Sequence, residues 1–192
     1  MARVLVPLAQ GVEELEAVTI IDLLRRAGVD VVAAGLEPGT IRGSRGVVLV
    51  PDALLSDVAS DAFDLVVLPG GGEGARRLAE SAWVRETLQR TLAAGHRVAA
   101  VCAAPEVLRR AGVLQGRRVT SYPGAMPKDD PSYTYVEESV VVDGPVTTSR
   151  GPGTAMDFTL SLIEQLTSVA ERQRVEAGLV RGDLVRAGAG AR

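Results

Sequence analysis

Four short stretches constrain this chain more than anything else in it: "RVLVPLA" (3–9), "VDVVAAG" (29–35), "DLVVLPGGG" (64–72) and "RVAAVCA" (97–103). Each has the length of a strand and runs apolar with little polar alternation, the pattern of strands buried on both faces. Helical spacing fills the intervals. "EELEAVTIIDLLRRAG" (13–28) sets Leu15, Val18, Ile21 and Leu24 at helical intervals and stops at Gly28. A second helical region runs from about Glu73 to Ala94, a short helix follows Cys102, and "GTAMDFTLSLIEQLTS" (153–168) is strongly amphipathic. Strands alternating with helices in this way predict an α/β fold, with a mostly parallel central sheet and helices on both faces. "TIRGSRGVVLV" (40–50) reads as a hairpin or excursion, and 117–122, 139–144 and 145–150 are strand-like. No repeat or long linker divides the 192 residues. One domain is expected over 1–185, with "RAGAGAR" (186–192) fraying.

In such folds ligands bind beyond the carboxyl ends of the strands. Three features fall there: Glu13–Glu16 after the first strand, Gly70–Gly72 after "LVVLP", and Cys102. Cys102 is the only cysteine and His96 the only histidine, so an internal disulfide is excluded and no metal site is expected. At a strand-to-helix junction a thiol gains from the helix dipole, and such a thiol is expected to be largely ionised near neutral pH. Ala103 and Ala104 suit a tight elbow, but the motif of nucleophile-elbow hydrolases is not matched. From position alone, Cys102 is equally a buried filler.

A cysteine nucleophile usually has a histidine base. His96 begins the strand that Cys102 ends, and six residues at roughly 3.3 Å each separate the two by about 20 Å. The acid–base partner must therefore be a carboxylate. Glu13 and Glu14 are explained as acids at a helix N-terminus. Glu16, if it points inward, acquires a raised pKa and can carry a proton at neutral pH. Gly70, Gly72 and Ala75 fit G-x-G-x-x-A, but the motif does not follow the first strand and no acid near 92–102 is available for a ribose. A glycine turn offering backbone N–H groups to an oxyanion is the better reading.

The net charge of −3, with no basic block, gives no footprint of a dedicated nucleic-acid site. The N-terminal apolar run is too short to span a membrane and reaches Glu13 and Glu14 almost at once, so the cytoplasm is the expected compartment.

The pieces "GVEELEAV", "DLLRRAGV", "GSRGVVLVPD", "DLVVLPGGGEGA", "AAVCAAP" and "TTSRGPGTAMDF" occur in an order that resembles the ThiJ/PfpI superfamily, most closely its DJ-one and YajL-like branch. The resemblance covers roughly residues 3–180. It implies a flavodoxin-like three-layer sandwich and commonly a homodimer. It places the nucleophilic cysteine at Cys102 and the glutamate that hydrogen-bonds it at Glu16. The oxyanion amides fall on Gly71 and Ala103, beside Gly70. Arg26 and Arg45 match arginines near the dimer interface. Many members carry a histidine near the cysteine; here Tyr122 stands in that segment, as an aromatic does in YajL-like members. The resemblance further implies glutathione-independent glyoxalase activity, or deglycation of early adducts on proteins or nucleotides, with no cofactor. A redox sensor or holdase chaperone using Cys102 oxidation shares the same residues. A cysteine peptidase fits less well without a histidine.

Overall fold

The computed structural model describes residues 1–181, so the tail expected at 186–192 lies outside the described residues, as do 182–185. The chain runs β1 (Arg3–Leu8), α1 (Glu14–Arg26), β2 (Asp30–Gly35), β3 (Ile41–Arg42), β4 (Val48–Leu49), β5 (Ala53–Leu54), α2 (Leu55–Val58), β6 (Leu65–Leu68) and α3 (Gly72–Glu80). It continues through α4 (Ala82–Ala93), β7 (Arg97–Val101), α5 (Pro105–Arg110), β8 (Arg117–Val119), β9 (Tyr133–Tyr135), β10 (Val140–Asp143) and β11 (Val146–Ser149). A 3-10 turn at Pro152–Thr154 leads into α6 (Ala155–Leu166) and α7 (Val169–Gly178).

Seven strands form one sheet in the order β10-β11-β7-β6-β1-β2-β5. Every pairing in it is parallel except the β10–β11 hairpin. Side chains alternate across the sheet. Val4, Val6, Leu8, Val67, Ala99 and Val101 face a layer that includes Ile20 and Leu24 of α1 and Phe158 and Ile163 of α6. Leu5, Val66, Leu68, Val98 and Ala100 face Leu78 of α3, Leu88 of α4 and Leu108 of α5. Both faces are covered, which is why these strands read as unbroken apolar runs. The three-layer sandwich is therefore the one expected.

The stretch 40–50 is a hairpin, as read, the small β3–β4 pair held outside the main sheet. Three details differ from the sequence reading. The helical stretch 73–94 is two helices, broken at Ser81, whose hydroxyl caps α4 by accepting from the Val84 N–H. The short elements β5, α2 and β9, and the helix α7, had no sequence counterpart. Lastly, the buried stripe of α1 is Ala17, Ile20, Leu23 and Leu24; Leu15 and Val18 are half exposed. This helix is apolar on two sides, and the fold covers one.

The chain leaves β1 through α1 to β2 on one side and returns to β6 on the other. The sheet therefore has its topological switch point between β1 and β6, with β7 the next strand. The carboxyl ends of these three strands carry all three candidate features.

Candidate active site

Cys102 directly follows β7 and sits at φ 63°, in the left-handed region that a residue with a Cβ rarely occupies. Such strain costs on the order of 1–3 kcal/mol and persists only where the surroundings fix it. Here both backbone groups of Cys102 are tied. Its N–H donates to Ser149 O at 3.0 Å, and its carbonyl accepts from the Tyr122 N–H at 2.8 Å. The elbow holds the thiol at the sheet edge, 9% exposed, with the backbone N–H groups of Gly71 and Ala103 directed at its sulfur.

The glycine turn after β6 is shaped for this approach. A Cβ on Gly70 would stand 2.5 Å from Cys102 Cβ and 2.7 Å from Glu16 Oε2. Gly71 has φ +91°, and a Cβ there would lie 2.4 Å from Gly11 O. Only glycine lets the turn nestle against Cys102 and Glu16 with its amides inward.

Glu16, on the first turn of α1, is fully buried and accepts the Gly70 N–H through Oε2 at 2.7 Å. Its other oxygen, Oε1, is buried without a well-aligned partner, and the Cys102 thiol is the polar side chain with which the carboxyl interacts. Burial pushes Glu16 up to about 7 against the Gly70 hydrogen bond and the neighbouring Cys102 thiol, and the charge of Glu13 adds to the rise. Burial likewise pushes the Cys102 thiol up to about 12, with the charge on Glu16 next in importance and the two backbone amides opposing. The pair therefore gives up its first proton near pH 7, and the remaining charge holds the second.

This corrects the expectation of a thiol ionised by its helix. The helix α5 is only six residues long and starts three residues beyond Cys102, so its field is outweighed by the loss of water around the sulfur. The polar side chain placed to exchange a proton with the thiol is the Glu16 carboxyl.

The structure also settles the other candidates. Tyr122 joins the site through its backbone; its half-exposed ring lies against Gly151, where a Cβ would be 3.3 Å from Cδ2. His96 lies at the amino-terminal end of β7, its Nδ1 3.7 Å from Asp64 Oδ1, where it lines a cavity of about 420 Å³ with Met1, Ala2 and Gln165. Arg26 is at the far end of α1, paired with Asp22 at 2.6 Å, and Arg45 is exposed on the loop between β3 and β4. Neither arginine is brought into the Cys102 pocket. Among the described residues, no cluster of three or more His, Cys, Asp and Glu could hold a metal ion, and no helix is long and apolar enough to cross a membrane.

Two functional positions escaped the sequence reading. Ser149, at the end of β11, anchors the elbow through its carbonyl. Glu14 is more than a helix-terminal acid: it is buried and accepts from Ser44 Oγ (3.1 Å), Arg45 N (2.8 Å) and Val47 N (3.3 Å). Burial pushes its carboxyl up, but its own backbone N–H and these hydrogen bonds together outweigh it and hold the group below its ordinary value. Gly43 makes room, since a Cβ there would fall 2.5 Å from Glu14 Oε2. That close glycine in "RGSRG" was the available signal.

Residues 2–165 match the DJ-1/PfpI family. The chain is 46% identical over 178 residues to Protein dj-1beta of Drosophila melanogaster, covering 92% of this chain and 95% of that one. The crystal structure of Drosophila melanogaster DJ-1beta superposes with a TM-score of 0.90, over 93% of this chain and 97% of the other. The glutathione-independent glyoxalase DJR-1.2 of Caenorhabditis elegans is 34% identical over 86% of this chain and 88% of its own length. An oxidised DJ-1 structure from Toxoplasma gondii, 40% identical, has a TM-score of 0.88 over 94% of this chain and 98% of that one. The sandwich is thus the flavodoxin-like one these relatives share.

Proposed function

The chain belongs to the DJ-1/PfpI family, and from that premise and the geometry above we propose that it is a cysteine-dependent enzyme acting on methylglyoxal, glyoxal or early glycation adducts. The observation that carries this reading is the strained elbow. It presents one thiol to two inward backbone amides and a buried carboxyl that exchanges a proton with it near pH 7. The 34% identity to a glutathione-independent glyoxalase supports the same choice.

The steps follow from the residues. Glu16 takes the thiol proton as Cys102 Sγ bonds to the aldehyde carbon. The oxygen that gains the electron pair lies against the Gly71 and Ala103 amides. Glu16 returns its proton there, giving the hemithioacetal. The carboxylate then removes the proton from the former aldehyde carbon, leaving an enediolate with its charge on the neighbouring oxygen; it delivers that proton to the neighbouring carbon while the hydroxyl proton of the former aldehyde carbon passes to the neighbouring oxygen, leaving a 2-hydroxy thioester. Water cleaves the thioester, releasing lactate from methylglyoxal or glycolate from glyoxal and restoring the thiol.

Pairing with a second copy belongs to the same proposal. Leu15 and Val18 of α1 and Val47, Val48 and Val50 around the β3–β4 hairpin are exposed, and Val18 and Val50 line one surface hollow, an apolar set a partner would cover. A second reading, a redox sensor that uses oxidation of Cys102, is favoured by the oxidised Toxoplasma gondii structure.

Steady-state kinetics on methylglyoxal, followed as lactate and compared with a glycated peptide, test the enzyme reading. Cys102→Ser is expected to lose turnover while keeping its fold, because a serine hydroxyl is barely ionised beside a carboxylate. Lactate release by that variant at the wild-type rate would sink the assignment.

A further inference from the structure

Glu13 borders the site but has no part in the steps above. It is tied at three points. Its N–H donates to Gly70 O at 2.9 Å, its carbonyl accepts from the Ala17 N–H at 3.0 Å, and its Oε2 accepts from the Glu16 N–H at 2.8 Å. The glycine turn is thus gripped from two sides by one turn of helix: Glu13 holds the carbonyl of Gly70, and the Glu16 carboxyl holds its N–H. A Cβ on Gly71 would stand 2.5 Å from Glu13 N, so the oxyanion turn rests directly on this residue.

The chemical identity of the cap matters as well. Serine, threonine, aspartate and asparagine are the preferred caps, and a neutral one would satisfy the same N–H. This chain instead places a full negative charge three residues before a wholly buried carboxyl. Cations nearby are engaged elsewhere: Arg25 and Arg26 pair with Asp52 and Asp22 at the other end of α1, and Arg76 and Arg77 of α3 pair with Glu73. The groups that act on the Glu16 carboxyl are Cys102 from the end of β7, the Gly70 N–H from the turn after β6, and the charge of Glu13, whose carboxylate is fixed one helical turn away on the Glu16 N–H. Glu14 points to the 44–47 loop, and the acids of α6, Asp157 and Glu164, are exposed.

We propose that Glu13 is a positioning residue whose charge keeps the shared proton on Glu16 when the Cys102 sulfur attacks, so that the thiolate forms beside a neutral acid. This rests on the reading of Cys102 as nucleophile and Glu16 as its proton carrier. With one proton between the two groups, either Glu16 is charged and the thiol neutral, or the reverse. A negative charge beside Glu16 disfavours the first arrangement and enriches the second. With both protons present, the same charge changes little at the sulfur.

That asymmetry gives a distinctive test: the rate of Cys102 alkylation by iodoacetamide on the full-length protein, measured from pH 5 to 9. Glu13→Gln keeps an acceptor for the Glu16 N–H and removes the charge. Its midpoint is expected to move to lower pH and its plateau to fall by the same factor, about threefold for one unit charge a few solvated ångströms away, while the acid limb stays unchanged. Glu13→Asp is expected to restore the wild-type profile. Should the glutamine variant fail to fold, Glu13→Ser, a good cap without charge, carries the same comparison. A purely structural cap would lower thermal stability and leave midpoint and plateau alone, and that result overturns the proposal while leaving the nucleophile in place. A wild-type Cys102 that resists alkylation throughout overturns both.

Discussion

Glu16 should make the protein less stable at the pH where it works. The carboxyl is fully buried and its proton is held until about pH 7, against an ordinary value of 4.5. In the unfolded chain the proton leaves near 4.5. Between those two values the native state binds more protons than the unfolded state, so stability falls as pH rises through the window. The gap between 4.5 and about 7 corresponds to about 3 kcal/mol, fully expressed above pH 7 and absent below about pH 4. Glu16→Gln removes the titration while keeping an oxygen for the Gly70 N–H. Its buried amide carries its own cost, which does not depend on pH. The diagnostic quantity is therefore the change in the stability difference between variant and wild type from pH 4 to pH 8. The variant should gain about 3 kcal/mol over that range, or about 6–12 °C in melting temperature for a chain of this size, as its turnover collapses. Urea denaturation of both proteins at equal concentration, at half-unit pH steps, measures it. Parallel pH dependences of the two proteins would mean that Glu16 titrates normally in the fold, and the proton-carrier argument would fall with it.

Gly70→Ala should reduce kcat/KM by on the order of a hundredfold, because its Cβ would displace Cys102 and Glu16 together; steady-state kinetics on a folded variant check it. Glu14→Ala, far milder for the chemistry, should cost about 1–3 kcal/mol and open the 44–47 loop to limited proteolysis, since three hydrogen bonds to that loop are lost. Mild peroxide should add two oxygens to Cys102 at a rate that climbs as pH passes 7, the first proton loss of its pair with Glu16. Oxidation of the exposed Met1 and Met156 should stay flat with pH, and peptide mass spectrometry separates the two.

What the sequence made legible was whatever depends on periodicity or on local turn chemistry. The four apolar runs became β1, β2, β6 and β7 because strands buried on both faces need no polar alternation. The two-residue strand β5 and the three-residue strand β9 carry too few positions to show a period. The helix α7 buries only Val175, so it has no stripe to read. The elbow at Cys102 was half visible: small neighbours allowed it, but nothing local marks a positive φ on a cysteine.

The thiol's acidity shows why the rest was hidden. A helix N-terminus is a local feature, and sequence alone sees it at once. Desolvation is set by what the fold stacks above and beside the sulfur, here a turn more than thirty positions upstream and a carboxyl on α1. Both groups resist ionisation when buried, so neither would be reactive alone near neutral pH. Brought together they need to lose only one proton between them, and the amides of Gly71 and Ala103 oppose the rise at the sulfur. On the proposed mechanism reactivity therefore belongs to the pair rather than to Cys102 alone, and a substitution that merely moves the preference for that proton should change rate without touching the nucleophile.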